Sequence, residues 1–173
     1  GHSTLDANTT GGYNVGVGIG ALGANTTASN NTAVGYNSSL ATTTGANNVS
    51  VGGSSLGTNT TGASNVAVGV NALLSSTTAV QNTAVGSLAG DAITTGNNNV
   101  AVGYSSLGAT TSAAQNVAVG VTAMAANTTG ANNTASGYNA LSANTTGYRN
   151  AAFGGSCMAA NTTGYNNTAC GYD

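Results

Sequence analysis

An asparagine recurs every 17 residues along the whole chain: Asn14, Asn31, Asn48, Asn65, Asn82, Asn99, Asn116, Asn133, Asn150 and Asn167. A glycine stands four residues after each, from Gly18 to Gly171, and no copy carries an insertion or deletion. An unbroken period of this length marks a solenoid, in which each copy is one coil stacked on the last. The clearest copies read Asn-Val-Ala-Val-Gly, at 65–69, 99–103 and 116–120. Residues 1–173 are therefore a single repeat array of about ten coils. Gly1 falls at the glycine position and Asp173 stops in mid-coil, which predicts that the array is a window of a longer fibre protein.

With the anchoring Asn as position 0, positions 1 and 3 share one face of a strand and position 2 takes the other. Val17, Val34, Val51, Val68, Val85, Val102 and Val119 occupy position 3, followed by Ser136, Phe153 and Cys170. β-branched residues suit a packed, pleated surface, so the valines are expected inside as an apolar spine. Alanine at position 2 is then an outer strip where another chain approaches. A second segment, clearest in Tyr138-Asn139-Ala140-Leu141, reads as a second strand. Its apolar anchor is Leu22, Leu56, Leu73, Leu107, Met124, Leu141 and Met158. Leu40 sits one place late and Gly90 replaces the anchor beside Asp91, so distortion is expected in those two coils.

The return, Ala143-Asn144-Thr145-Thr146-Gly147 in its typical form, has turn chemistry. The expected fold is all-β: a parallel β-solenoid, flattened, with Val and Leu between two parallel sheets. The position-4 glycines should have φ > 0 or meet a neighbour too closely for a Cβ, and the asparagines should form amide ladders along the stack. At about 4.8 Å per coil, Asn14 to Asn167 spans about 43 Å. Helices are excluded by 27 glycines and abundant Asn, Thr and Ser. Disorder is excluded by apolar residues held in fixed columns. No proline interrupts the ladders.

Only 2% of the residues are charged: Arg149 with Asp6, Asp91 and Asp173. Such a surface cannot neutralise a phosphate backbone or an anionic bilayer, so neither nucleic acid nor membrane is an expected partner of this segment. No apolar run approaches the ~20 residues of a spanning helix. Cys157 and Cys170 occupy different columns, so stacking does not pair them. His2 is the sole imidazole, and three carboxylates over ten coils do not build a catalytic triad or a metal centre. Calcium-binding β-rolls need an Asp in every repeat. The chain is therefore read as a non-enzyme without cofactor or metal. Each coil has a thin core, since ordering costs roughly 1–2 kcal/mol per residue and a buried Val or Leu returns roughly 1.5–3. That predicts a homo-oligomer.

Candidate surface groups are of three kinds. Tyr36, Tyr104, Tyr138 and Tyr172 share the column after the glycine, where tyrosines either stack on sugars or anchor a receptor, or else cover a seam between chains. Asn8, Asn25, Asn59, Asn127, Asn144 and Asn161 each begin an Asn-Thr-Thr glycosylation acceptor. The Thr-Thr pairs themselves (Thr9-Thr10, Thr26-Thr27, Thr60-Thr61, Thr128-Thr129, Thr145-Thr146, Thr162-Thr163) suggest an ice-binding face. Adjacent hydroxyls on a strand point to opposite sides, which favours turn chemistry for them instead.

The run Asn98-Asn99-Val100-Ala101-Val102-Gly103 resembles the Asn-Ser-Val-Ala-Ile-Gly motif of the YadA-like head of trimeric autotransporter adhesins. Asn30 to Gly35 and Asn132 to Gly137 are looser copies. The longer stretch from Gly137 to Asn150 is similar to repeats of phage tail fibres and related surface fibres. The resemblance covers essentially the whole chain. It implies a left-handed β-roll, a homotrimer, a place outside the cell or on a virion, and an adhesive or spacer role toward host glycans or matrix proteins. The repeat here is longer than that family's usual one, and the position before the anchor is Tyr13, Ser64, Gln81, Gln115 or Arg149 in half the copies. An ice-binding solenoid and a self-assembling structural filament are the alternative readings.

Overall fold

A computed structural model of the protein describes residues 1–172. It is a parallel β-solenoid with one coil per 17-residue repeat. Ten three-residue strands follow one another: β1 (Val15–Val17), β2 (Thr32–Val34), β3 (Val49–Val51), β4 (Val66–Val68), β5 (Thr83–Val85), β6 (Val100–Val102), β7 (Val117–Val119), β8 (Thr134–Ser136), β9 (Ala151–Phe153) and β10 (Thr168–Cys170). They form one sheet in sequence order. Every pairing is parallel and shifted by one repeat, as in Val100↔Val117 and Val102↔Val119.

The valines are not inside. In β6 and its equivalents the middle residue is buried and its two neighbours are partly or largely exposed. Ala33, Ala67, Ala84, Ala101, Ala118, Ala135 and Ala152 form the inner column. This reverses the expected facing, and the coil's width explains it. Leu5, Leu22, Leu56, Leu73, Leu107, Met124 and Leu141 reach across the interior toward the back of the sheet. A Cβ placed on Gly16, which holds the alanine position in β1, would lie 2.7 Å from Thr4 Cγ2 and 3.5 Å from Leu5 Cδ1. At 2.7 Å the contact is already too close for a Cβ, so the space behind the strand at this end leaves no room for an isopropyl group.

The second segment is not a strand, so the structure has one sheet rather than two. In its place three overlapping turns close through Ala21 N–H to Gly18 O, Gly23 N–H to Gly20 O and Asn25 N–H to Leu22 O, at 3.3, 3.0 and 3.1 Å. Positions 6 and 8 of these turns have left-handed backbone, for example Asn71 at φ 58° and Leu73 at φ 51°. Their amides still join the stack in opposite directions: Asn71 N–H bonds back to Gly53 O at 3.0 Å, and Leu73 N–H bonds forward to Ala89 O at 3.0 Å. A left-handed leucine costs roughly 1–2 kcal/mol. Full burial of its side chain returns roughly 1.5–3, so the conformation holds at net gain.

Three residue columns fix the register. The anchoring asparagines from Asn31 to Asn150 are buried. Asn65 Nδ2 donates to Ala79 O at 2.8 Å, closing its own coil, while its Oδ1 accepts Asn82 N–H of the next coil at 3.0 Å. The position-4 glycines stack so closely that a Cβ on Gly103 would lie 2.5 Å from Gly120 O, and their φ is positive throughout. Position 12 is threonine in every copy, and its hydroxyl donates along the stack, as Thr60 Oγ1 does to Thr77 O at 3.0 Å. The two coils lacking a position-8 leucine keep the common register. The expected distortion is confined to their turns: Leu40 and Asp91 do not make the position-9 to position-6 bond seen at Gly23, Leu74 and Ser142, and Ala92 N–H does not reach the next coil as Ser75 N–H does.

Candidate interaction surface

The alternation that hides alanine turns the larger side chains outward. Positions 1, 3 and 5 run along one side of the solenoid, and most of its exposed large hydrophobic residues lie there, including Val17, Val51, Val70, Val85, Val119 and Phe153. These three columns contain no Asp, Glu, Lys or Arg. The face runs over all ten strands in one register.

Tyr36, Tyr104, Tyr138 and Tyr172 stand in column 5 of this face, 52% to 80% exposed. Other residues occupy the coils between them, among them Gly53, Val70, Ser87 and Val121, so the tyrosines share an edge without forming a continuous row. Tyr172 lies across Gly155 of the preceding coil: a Cβ there would sit 2.8 Å from its ring. The aromatic pair that does stack is Tyr148 with Tyr165, at position 15, with centroids 5.0 Å apart and planes 1° from parallel. The Arg149 guanidinium lies 5.9 Å from the Tyr148 ring centre. The sequence signal for this pair was its 17-residue separation.

The acceptor asparagines point inward. Asn25, Asn59, Asn127 and Asn144 are fully buried, and each Nδ2 donates to the carbonyl three residues on, at 3.0 to 3.2 Å. Asn144 Nδ2 also donates to Asn127 Oδ1 at 2.9 Å. A glycan on any of these four would have to occupy the packed interior of the coil. Asn8 is exposed and Asn161 half-buried, at the two ends of the array. Where threonine or serine breaks this column, as at Thr42 and Ser76, Asn25 Oδ1 and Asn59 Oδ1 are left without a donor.

The Thr-Thr pairs divide by position. The first hydroxyl of the pair joins the ladder described above. The second, at position 13, is exposed in every coil: nine threonines and Ser112 form a rank separate from the valine columns. Cys157 is buried, Cys170 is exposed beside Phe153 on the valine face, and both are free thiols. Burial holds the Asp91 carboxyl above the usual carboxylate range, against the lowering effect of hydrogen bonds from the backbone of Asp91 and Ala92. Asp173 lies outside the described residues. Among those described there is no pocket and no cluster of three metal-ligating side chains, and no helix is long and apolar enough to cross a membrane. Compared with models of known protein families, with curated proteins and with solved structures, the chain matches none.

Proposed function

We propose that the chain is a non-enzymatic segment of an extracellular fibre, on a cell surface or a virion, which acts as an adhesin head or a tail-fibre shaft. In this reading three copies run side by side, and the outer surface meets host glycans or matrix proteins. The observation that carries it is the continuity of the stack: each coil is tied to the next by backbone bonds and by the Asn, Gly and Thr columns. An element of this kind transmits load along its axis and offers a protease few openings, with Arg149 its one basic side chain. Tyr36, Tyr104 and Tyr138 stand exposed on the single chain, where aromatic rings suit either sugar contact or the rim of a seam between chains.

A screen of the purified segment against glycans and matrix proteins tests this reading, with thermal hysteresis measured on the same sample. Saturable binding without hysteresis is expected. Hysteresis without binding would favour an ice-binding solenoid instead. One observation favours that second reading: the rank of exposed hydroxyls at position 13, one per coil at the regular spacing of the stack.

A further inference from the structure

We infer that the valine face, formed by positions 1, 3 and 5 of successive coils, is buried against the same face of other copies of this chain. This deepens the assembly part of the proposed function and rests on it, but it names a different surface from the alanine strip that the sequence suggested. Alanine is inside the coil and has no partner to seek.

The size of the face comes first. Ten strands about 4.8 Å apart and three outward columns make a strip of about 45 Å by 15 Å. Roughly 700 Å² is close to the ~800 Å² each partner contributes to a stable interface. Thr83, Ser87, Thr134, Ser136 and Gly155 interrupt the apolar columns, yet every coil keeps at least one Val, Phe or Tyr on the strip, and a contiguous apolar patch of this length marks an interaction surface. The nature of the occupant follows from chemistry and shape. With no charged side chain on the face, a charged partner finds no complement there. The valines form ridges repeating once per coil, and a second surface must carry the same repeat to interleave with them over the full length. Another copy of this chain carries it. Val17, Val51, Val70, Val85 and Val119 would meet their counterparts, and the column-5 tyrosines would close the rim.

Native mass measurement separates the possibilities. The wild-type segment is expected at a multiple of its 16.3 kDa chain mass. Val70→Lys with Val119→Lys should reduce it to one chain while the far-ultraviolet β signal persists. Thr78→Lys with Thr129→Lys, at exposed positions outside the three columns, should leave the wild-type mass unchanged. A second measurement does not depend on how the lysine variants fold. In a Cys170→Ser background, Val85→Cys should react with a thiol reagent at least tenfold more slowly than Thr78→Cys. A wild-type segment of single-chain mass overturns both the assembly and the face. An oligomer that survives the valine substitutions, or that reacts equally fast at Val85→Cys and Thr78→Cys, overturns the face alone.

Discussion

Two coils lack the leucine that fills the others, and they replace it by opposite means. In the coil that starts at Asn31, Ser39 holds the leucine position and Ser50 stands where the next strand has alanine elsewhere. Ser38, Ser39, Ser50 and Ser55 make a buried cluster of hydroxyls: Ser38 Oγ donates to Ser50 Oγ at 2.7 Å, Ser39 and Ser50 are 2.8 Å apart, and Ser55 Oγ donates to Gly52 O at 3.0 Å. The displaced Leu40 lies partly in solvent. In the coil that starts at Asn82, Gly90 holds the leucine position and nothing polar enters. Ile93 replaces the inward polar residue of position 11 and turns into the vacant space, where its Cδ1 would be 2.9 Å from a Cβ on Gly90. One coil satisfies its interior with hydrogen bonds and the other with volume. Both keep the same strand register. The interior is therefore adaptable, while the Asn, Gly and Thr columns, shared by both coils, set the stacking.

The most damaging change should be one that strikes those columns, and it should strike both coils alike. A Cβ on Gly35 would lie 2.5 Å from Gly52 O, and on Gly86 2.6 Å from Gly103 O, at φ 137° and 136°, a region essentially reserved for glycine. Gly35→Ala and Gly86→Ala should each cost about 3–5 kcal/mol, combining overpacking with backbone strain. Chemical denaturation of the two variants checks this. A large cost in one coil and none in the other would mean that the filling, and not the column, holds the register there.

Next in size is Ile93→Asn, which restores the common residue of position 11 but leaves the space beside Gly90 empty. A loss of about 2–4 kcal/mol is expected. Adding Gly90→Leu should recover most of it, since Leu73 shows that leucine fits this left-handed position, whereas Gly90→Leu alone should destabilise by crowding Ile93. A double-mutant cycle reads the coupling, and simple additivity would contradict the exchange of volume proposed for this coil.

The smallest effect of the three belongs to Ser50→Ala. It removes the partner that Ser38 and Ser39 share and should cost about 1–2 kcal/mol. Combining it with Ser39→Leu, which rebuilds the standard apolar interior, should bring the coil back to at least wild-type stability in the same denaturation experiment.

What the sequence made legible follows from what periodicity measures. A 17-residue recurrence of Asn14 through Asn167 states which residues stack, and the parallel register, the amide ladder and the close glycine column follow from it directly. Alternation in Val100-Ala101-Val102 states which residues share a face without stating which face is inside. Deciding that needs the width of the coil, and the width is set by Leu107 and Met124 in a left-handed conformation that leucine and methionine rarely adopt. The second segment differs from a strand for the same reason, since left-handed residues at Asn139 and Leu141 convert an apparently extended segment into successive turns. The Tyr148–Tyr165 stack needed only the period. The valine face could not be recognised until the alanines were known to be inside.

The inside–outside assignment of the strand is the claim on which the proposed interaction face depends, and charge scanning at adjacent residues tests it most directly. Thermal melting should be compared for Ala101→Lys and Val102→Lys, both made in a Val51→Lys, Phe153→Lys background, whose lysines lie on the same columns three coils away on either side, so that assembly does not enter. Ala101 is buried and Val102 half-exposed. An unpaired charge at the first position costs several kcal/mol, and each kcal/mol moves the midpoint by roughly 2–4 °C for a chain of this size. Ala101→Lys should therefore lower the melting temperature by about 10 °C or more, and Val102→Lys by no more than about 3 °C. Equal melting, or a larger drop for Val102→Lys, would contradict the assignment and return the valines to the interior.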